Sequence, residues 1–390
     1  MAGHSNILGE DTRPLFFPVN DGAARLSSPP ARKGLAVRFA ARSLSVMQKE
    51  GLVASSVSDR VWRVVSDEGA YLDGFDEASC PLSFLTTGMV SSYMTELIAL
   101  AGQRGIVLRN VELVQDNWYT MQGSALKGTM TGGAKDIDLK ARIASDADDE
   151  TLRKLIYDAI AASPLNGLMR GVKESLFTLT HNGAAITNAA AKPVAGGHLE
   201  DPGERIAGVQ PAAGDWSDLV RRGGMSPKTE EATSSQSSSL AENQDRTLHI
   251  RGICTVREDG VKQIEQQLFN PHGSIFHFLS DEEGRAPDAA SYIAAGIGFC
   301  FMTQLGRYAK ISKKDLREYL IVQDIHFSPG GASGGTGEAG SADPVETHVF
   351  LASGEDDAFA RAALDMGEQT CFLHAFCRTD LKARVRLTRV

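Results

Sequence analysis

The sequence predicts an α+β fold made of two copies of one unit, and three observations predict it. Leu108 to Asp116 reads LRNVELVQD and Leu316 to Asp324 reads LREYLIVQD, identical at five of nine positions at an offset of 208. Repetition at a fixed offset is the mark of a duplicated supersecondary unit. The order of strand-like and helix-like stretches is the same on either side of residues 187–245. Those intervening residues are rich in Ala, Gly, Pro and Ser and carry hardly any apolar periodicity.

These features divide the chain into a first repeat over 34–186, a linker over 187–245 and a second repeat over 246–390. The SDEG at Ser66 returns as SDEEG at Ser280, at an offset of 214, so a short gap lies between the two matches. The linker, with TSSQSSS at Thr233, buries too little apolar surface to offset its ordering entropy and is expected to be flexible. Only Trp216 to Val220 is expected to dock.

Each repeat opens with alternating apolar sequence, LAVRFAARSL or HIRGICTV, suited to strands with one buried face. A long apolar helix follows. In the first repeat it has Pro81 in its first turn, then Leu85, Met89, Ser92 and Tyr93, and it closes at Gly102 and Gly105 around Arg104. Two further strands flank a Gly-rich tract, 123–134 in one copy and 329–344 in the other. The longer tract reads as a mobile hairpin loop; no helix and no Lys-Ser/Thr pair follows its glycines, so it is no phosphate cradle. Acidic helix starts come next (DADDETLRKLIYDAI; GEDDAFARAALDM), their carboxylates favouring a helix N-terminus. A short helix then opens at Ser163-Pro164 or Thr370-Cys371, and SLFTLTH or ARVRLTRV forms the closing strand.

Composition narrows the function. The chain has 390 residues, 42% hydrophobic and 23% charged, as ordinary globular domains have. A net charge of −9 without any basic block argues against nucleic acid, which is held through clustered Lys and Arg. The opening MAGHSNILGEDTRPLFF lacks the basic and apolar segments of a secretory signal, so a cytoplasmic location is expected. The stretch from Ala289 to Leu305 is interrupted by Ser291, Thr303 and Gln304 and reads as a buried core helix rather than a membrane span. Five irregularly spaced cysteines, Cys80, Cys254, Cys300, Cys371 and Cys377, do not form a secreted disulfide framework, so reduced thiols are expected.

Two of these thiols stand apart. Cys300 shares one face of the second long helix with Ile293, Gly296, Ile297 and Gln304, and small neighbours there allow close approach of another segment. A lone cysteine on such a face is ordinarily an inert small hydrophobe. Cys371, however, is placed at the N-terminus of the short helix, where free N–H groups and the dipole favour a thiolate. The 208 offset carries Ser92 onto Cys300 and Ser163 onto Cys371, so the first repeat has serine at both thiol positions.

The order of strands, a long helix bearing a Cys, strands, a short helix opening at a Cys and a last strand resembles the OsmC/Ohr family of thiol-dependent peroxidases. The carrying motifs are YIAAGIGFCF around Cys300, CPLSFLTTGMVSSY around Ser92, SPLN at Ser163 and CFLH at Cys371. The resemblance covers both repeats and not the linker. It implies two units, each an antiparallel sheet wrapped around a long central helix, packed as a pseudo-dimer within one chain, and leaves room for further homo-oligomers. It implies no cofactor or metal. Cys300 would be the peroxidatic thiolate, attacking an organic hydroperoxide and becoming a sulfenic acid; Cys371 would resolve it as a disulfide, which a dithiol reductant such as a lipoylated or thioredoxin-like protein would reset. The family's activating Arg would be Arg257 in VREDG, with Arg42 of the first repeat as its rival. The family's Glu near the helix start has no match, since Ala290 stands there; Asp281, Glu282 and Glu283 are the substitutes at hand.

Other readings are weaker. Cys371, His374 and Cys377 are spaced by three residues, but the first and last point apart on a helix and a fourth ligand is absent. Cys80 before Pro81 suits a cap, and Cys254 and Cys377 suit the core. Ile293, Ile297, Phe299 and Phe301 would wall a pocket for an organic tail, or simply pack. The alternative to a peroxidase is a non-catalytic binding or scaffold protein that keeps the fold.

Overall fold

A computed structural model describes residues 5–228 and 238–390. At its centre two long helices cross. α1 (Pro81–Gln103) begins on a proline, whose missing N–H costs nothing in a first turn, and ends before Gly105 at φ +65°. α3 (Ala289–Ser312) begins on Asp288, whose carboxylate accepts the Ser291 N–H at 2.8 Å. Both are apolar on nearly every side because both are largely enclosed, and α3, long and apolar enough to cross a membrane, is buried inside the protein except over its last turn. Their closest approach is set by two glycines. A Cβ on Gly88 would lie 2.5 Å from Ile293 Cγ1 and 2.6 Å from the Ala289 carbonyl oxygen. One on Gly296 would lie 3.0 Å from Leu85 N and 3.2 Å from the Pro81 carbonyl oxygen.

Two large sheets enclose this pair, so the chain is a mixed α+β structure. One sheet runs β1 (Phe17–Pro18), β4 (Val61–Ser66), β3 (Lys49–Ser55), β2 (Leu35–Ser43), β14 (Leu316–Phe327), β15 (Glu346–Ser353), β8 (Leu176–His181) and β9 (Ala184–Ile186). The other runs β10 (Val220–Met225), β13 (Ser274–Ser280), β12 (Lys262–Asn270), β11 (Asn243–Val256), β5 (Asn110–Ser124), β7 (Ile137–Ala144) and β16 (Ala383–Arg389), with β6 (Thr131–Ala134) paired to β5. Each sheet therefore contains strands from both ends of the chain. β2 pairs antiparallel with β14, and β11 with β5; β15 pairs parallel with β8, and β16 with β7. Two bidentate ion pairs sit on the joins: Arg38 to Asp324 at 2.7 and 2.7 Å, and Arg251 to Asp116 at 2.8 and 3.0 Å.

α2 (Asp149–Ala162) and α4 (Asp357–Thr370) have aspartate caps: Asp148 accepts from Thr151 N at 2.7 Å and Asp356 from Phe359 N at 3.0 Å. After α2 comes a single 3₁₀ turn, Pro164–Leu168; after α4 comes α5 (Phe372–Cys377).

Two segments differ from their expectation as flexible or mobile. Within the expected linker, β10 extends a sheet, Ile206 and Val209 are buried, and Trp216 packs edge-on against Trp62 with centroids 6.2 Å apart. These few apolar residues are enough to dock the backbone around them. Most of the TSSQSSS run lies outside the described residues. The Gly-rich tract 329–344 does connect two antiparallel strands, but it is pinned: Glu96 accepts the Ala332 and Ser333 N–H groups at 2.8 and 3.1 Å, and Gly340 N donates to the Ala161 carbonyl at 2.8 Å. Its lack of side chains is what permits this, since a Cβ on Gly340 would sit 2.0 Å from the Ser163 carbonyl oxygen.

The crossing yields a prediction. Gly88→Ala should destabilise the protein by about 2 kcal/mol, because overpacking against a backbone carbonyl outweighs alanine's better helix propensity. Gly102→Ala, with open space around it, should be neutral or stabilising; urea denaturation of both variants makes the comparison.

Candidate active site

Cys300 lies midway along α3, 2% exposed, and Cys371 is the N-cap of α5, fully buried. Their thiols are within hydrogen-bonding reach of each other. Neither is in a disulfide. The His374 backbone N–H points at Cys371 Sγ at 3.5 Å, the ordinary geometry of a helix N-terminus toward a sulfur. Burial pushes the Cys371 thiol up, but the hydrogen bond from Cys300, the adjacent His374 and its N–H together bring it well below its usual value. Cys300 goes the other way, raised by burial and by sharing its proton with Cys371. Negative charge on the pair is therefore favoured at Cys371, the sulfur at the helix N-terminus. In the first half Ser92 and Ser163 face each other in the same manner, Oγ to Oγ at 2.7 Å.

Of the two thiols, Cys300 opens on a small cavity of ≈ 30 Å³, room for the two oxygens of a peroxide group. Its apolar walls are Leu72, Pro81, Leu82, Leu248, Leu268, Pro271 and Phe372. Ile293, Ile297, Phe299 and Phe301 do not line it; they pack in the core, Phe299 edge-on to Phe39 at 4.9 Å and Phe301 against Phe177 at 5.4 Å. His374 is held between Phe177 and Phe301, each 5.3 Å away.

The polar groups of the cavity are Glu68, Tyr71, Arg246, Thr303, Gln304 and Arg307. Glu68 accepts hydrogen bonds from Tyr71 at 2.7 Å and Thr303 at 3.0 Å. Its carboxyl is held above 4.5, chiefly by burial, with the buried Lys49 ammonium opposing. Lys49, fully buried on β3 and bonded to the Met47 carbonyl, is lowered by burial and raised in turn by Glu68, Asp67, Cys300 and Cys80. Arg307 donates through Nε to the Ser239 carbonyl at 2.6 Å and through Nη1 to Gln304 at 3.3 Å, while its Nη2 is buried without a partner. Arg246 bonds Ser239 Oγ and leaves Nε unpartnered. Burial lowers the two guanidiniums to about 10 for Arg246 and about 9 for Arg307, and both stay cationic at neutral pH.

The structure therefore brings Cys300 and Cys371 together and leaves the expected arginines elsewhere. Arg257 is at the far end of β11 from Arg246, roughly 35 Å along the strand, exposed and paired with Asp259 at 3.0 Å. Arg42 is paired with Glu50 at 2.6 Å. Among the acidic substitutes, Asp281 and Glu283 pair with Arg285 at 2.8 and 3.3 Å and Glu282 lies 3.6 Å from Lys262; none lines the cavity. The carboxylate beside Cys300 is Glu68, from the other half of the chain. Its SDEG was visible as the repeat partner of SDEEG; a search confined to the residues near Cys300 in sequence passes over it.

A Ser353–His181–Asp357 array has triad-like distances of 2.8 and 2.7 Å. The array ties a strand end to the start of α4, since the Ser353 hydroxyl also accepts the Glu355 N–H at 3.2 Å.

No family model matches the chain, and no curated protein matches it. Among solved structures it is similar to an OsmC-like hydroperoxide resistance protein from Jannaschia sp. CCS1. Identity is 20%, over 32% of this chain and 79% of that one, with a TM-score of 0.20.

The charge state of Glu68 has a measurable consequence. A carboxyl whose pKa is higher in the fold than in the unfolded chain takes up a proton more readily when folded, so stability falls as pH rises from about 4.5 through the folded value. Glu68→Gln should flatten that fall. Asp67, also raised by burial, keeps part of it, and urea midpoints between pH 4 and 8 give the slope.

Proposed function

We propose that this chain is a thiol-dependent peroxidase that reduces organic hydroperoxides, and that its halves are copies of one OsmC-like unit folded on each other as an intrachain pseudo-dimer. The carrying observation is the meeting of Cys300 and Cys371 beside a cavity that also holds a buried carboxylate and two poorly satisfied guanidiniums.

In the reaction, the Cys300 thiolate attacks the nearer peroxide oxygen and the O–O bond breaks. Cys300 becomes a sulfenic acid, and the departing alkoxide takes a proton to leave as an alcohol. As Cys300 ionises, its proton passes to Cys371. Arg246 and Arg307 offer permanent positive charge to the thiolate and to the developing alkoxide in a site screened from water. Glu68, kept protonated more readily by burial, supplies a donor for the leaving oxygen. Condensation of Cys371 with the sulfenic acid releases water and forms a disulfide, which an external dithiol reduces.

The pseudo-dimer is supported by the matching order of the two sheets. Three strands of one half, two of the other and one more of the first recur with the halves exchanged. Under this reading Ser92 and Ser163 mark a silent counterpart of the thiol site, capped by the pinned tract 329–344.

One equivalent of cumene hydroperoxide should yield a Cys300–Cys371 disulfide by mass spectrometry, leaving Cys254 and Cys377 reduced. Turnover with a dithiol should be lost in Cys300→Ser; equal rates in variant and parent would sink the enzyme reading and leave a binding or scaffold role. The pseudo-dimer has its own test. Residues 238–390 expressed alone should lack cooperative unfolding, whereas co-expression with 1–228 should restore a soluble one-to-one complex; independent folding of either part would remove it.

A further inference from the structure

Cys80 takes no part in the mechanism above, yet it lines the same cavity as Cys300, whereas Cys254 and Cys377 do not. The helix crossing sets where it stands. Gly88 of α1 lies against Ala289 and Ile293 of α3, and Gly296 lies against Pro81 and Leu85, so the two helices run antiparallel at close contact. Moving one turn back along α1 from Leu85 to Pro81 and one turn forward along α3 from Gly296 reaches Cys80 on one side and Cys300 on the other. Small residues at the crossing bring the two backbones into close contact, and close approach of facing backbones is what a disulfide between them needs. Both sulfurs have the same flanking charges, the Lys49 ammonium and the Glu68 carboxyl. Cys80 occupies the N-cap of α1, its Sγ 3.5 Å from Ser83 Oγ, and is 7% exposed toward the cavity, while Cys371 is fully enclosed.

We propose that Cys80 is a second resolving thiol for Cys300, delivered by the first half of the chain. The proposal rests on the peroxidase reading. The Cys80 sulfur attacks the sulfenic sulfur of Cys300; the S–O bond breaks, the thiol proton leaves with the hydroxyl as water, and a disulfide joins α1 to α3. The hydroperoxide has been reduced by two electrons, one thiol each from Cys80 and Cys300 being oxidised, and an external dithiol restores both. Such a disulfide lies on the cavity side of α3, whereas Cys371 does not line the cavity.

The test uses the full-length chain with Cys371→Ser, with Cys80→Ser and with both; serine suits these positions, being a good N-cap and the residue the first half already carries at Ser163. Each protein receives one equivalent of cumene hydroperoxide in the presence of dimedone and is digested without reduction. Cys371→Ser should give the Cys80–Cys300 linked peptide and little dimedone on Cys300. The double variant should lose the linked peptide and gain dimedone labelling at Cys300 severalfold. Equal dimedone labelling of Cys300 in the single and double variants, without the linked peptide, overturns the role of Cys80 and leaves Cys300 as the peroxidatic thiol. No oxidised Cys300 in any of the proteins overturns the peroxidase reading and this proposal together.

Discussion

The contact between Gly88 and Gly296 and the helix facing each is the constraint on which the rest depends. Two helices of more than twenty residues, apolar all round, can be buried together only if their backbones approach closely, and the absence of two side chains permits it. That approach fixes the separation of the two sheets, and so brings β3 and the loop after β4 over the middle of α3. Lys49 and Glu68 reach Cys300 for this reason. A wider spacing would leave the thiol in a setting closer to that of Cys254, raised to about 12 chiefly by burial with Lys262 opposing.

Much of this was legible in the chain. Alternating apolar residues announce β2 and β11, the proline and glycine signals bracket α1 within a residue or two, and the acidic runs mark α2 and α4. These are local signals, in which neighbours in sequence are neighbours in space. The thiol pair was also legible, because a fixed offset pairs it with two serines. The charged groups around Cys300 were not. Arg257 was read from its place near the start of the second repeat, and an arginine's position in sequence says nothing of which end of a strand faces the cavity. Glu68, Lys49 and Arg307 are brought to Cys300 by packing between segments more than 200 residues apart, apart from Arg307, which lies on α3 itself and is hidden there among apolar neighbours. In the linker, Trp216 docks as its sequence suggests, and the buried Ile206 and Val209 dock further backbone than composition indicates, while the bulk of the segment is polar.

The half without the thiol pair is more than a scaffold in this arrangement. It supplies the buried Glu68 and Lys49 and several of the apolar walls, and its own serine pair holds the same geometry with hydroxyls in place of thiols. Hydroxyls at 2.7 Å exchange a hydrogen bond and nothing more, since oxygen at this position offers no accessible sulfenic or disulfide state. The electrostatic groups around the corresponding thiols would have little to act upon.

Interleaving strands from both ends of the chain also decides how sites are apportioned among molecules. Two separate polypeptides, one with thiols and one with serines, would assort into pairs bearing none, one or two reactive centres. Under the proposed reading, a chain whose two sheets each take strands from both of its ends gives every copy the same single centre and the same complement of supporting groups. Dose is then set by expression alone, with no dilution by inert pairings.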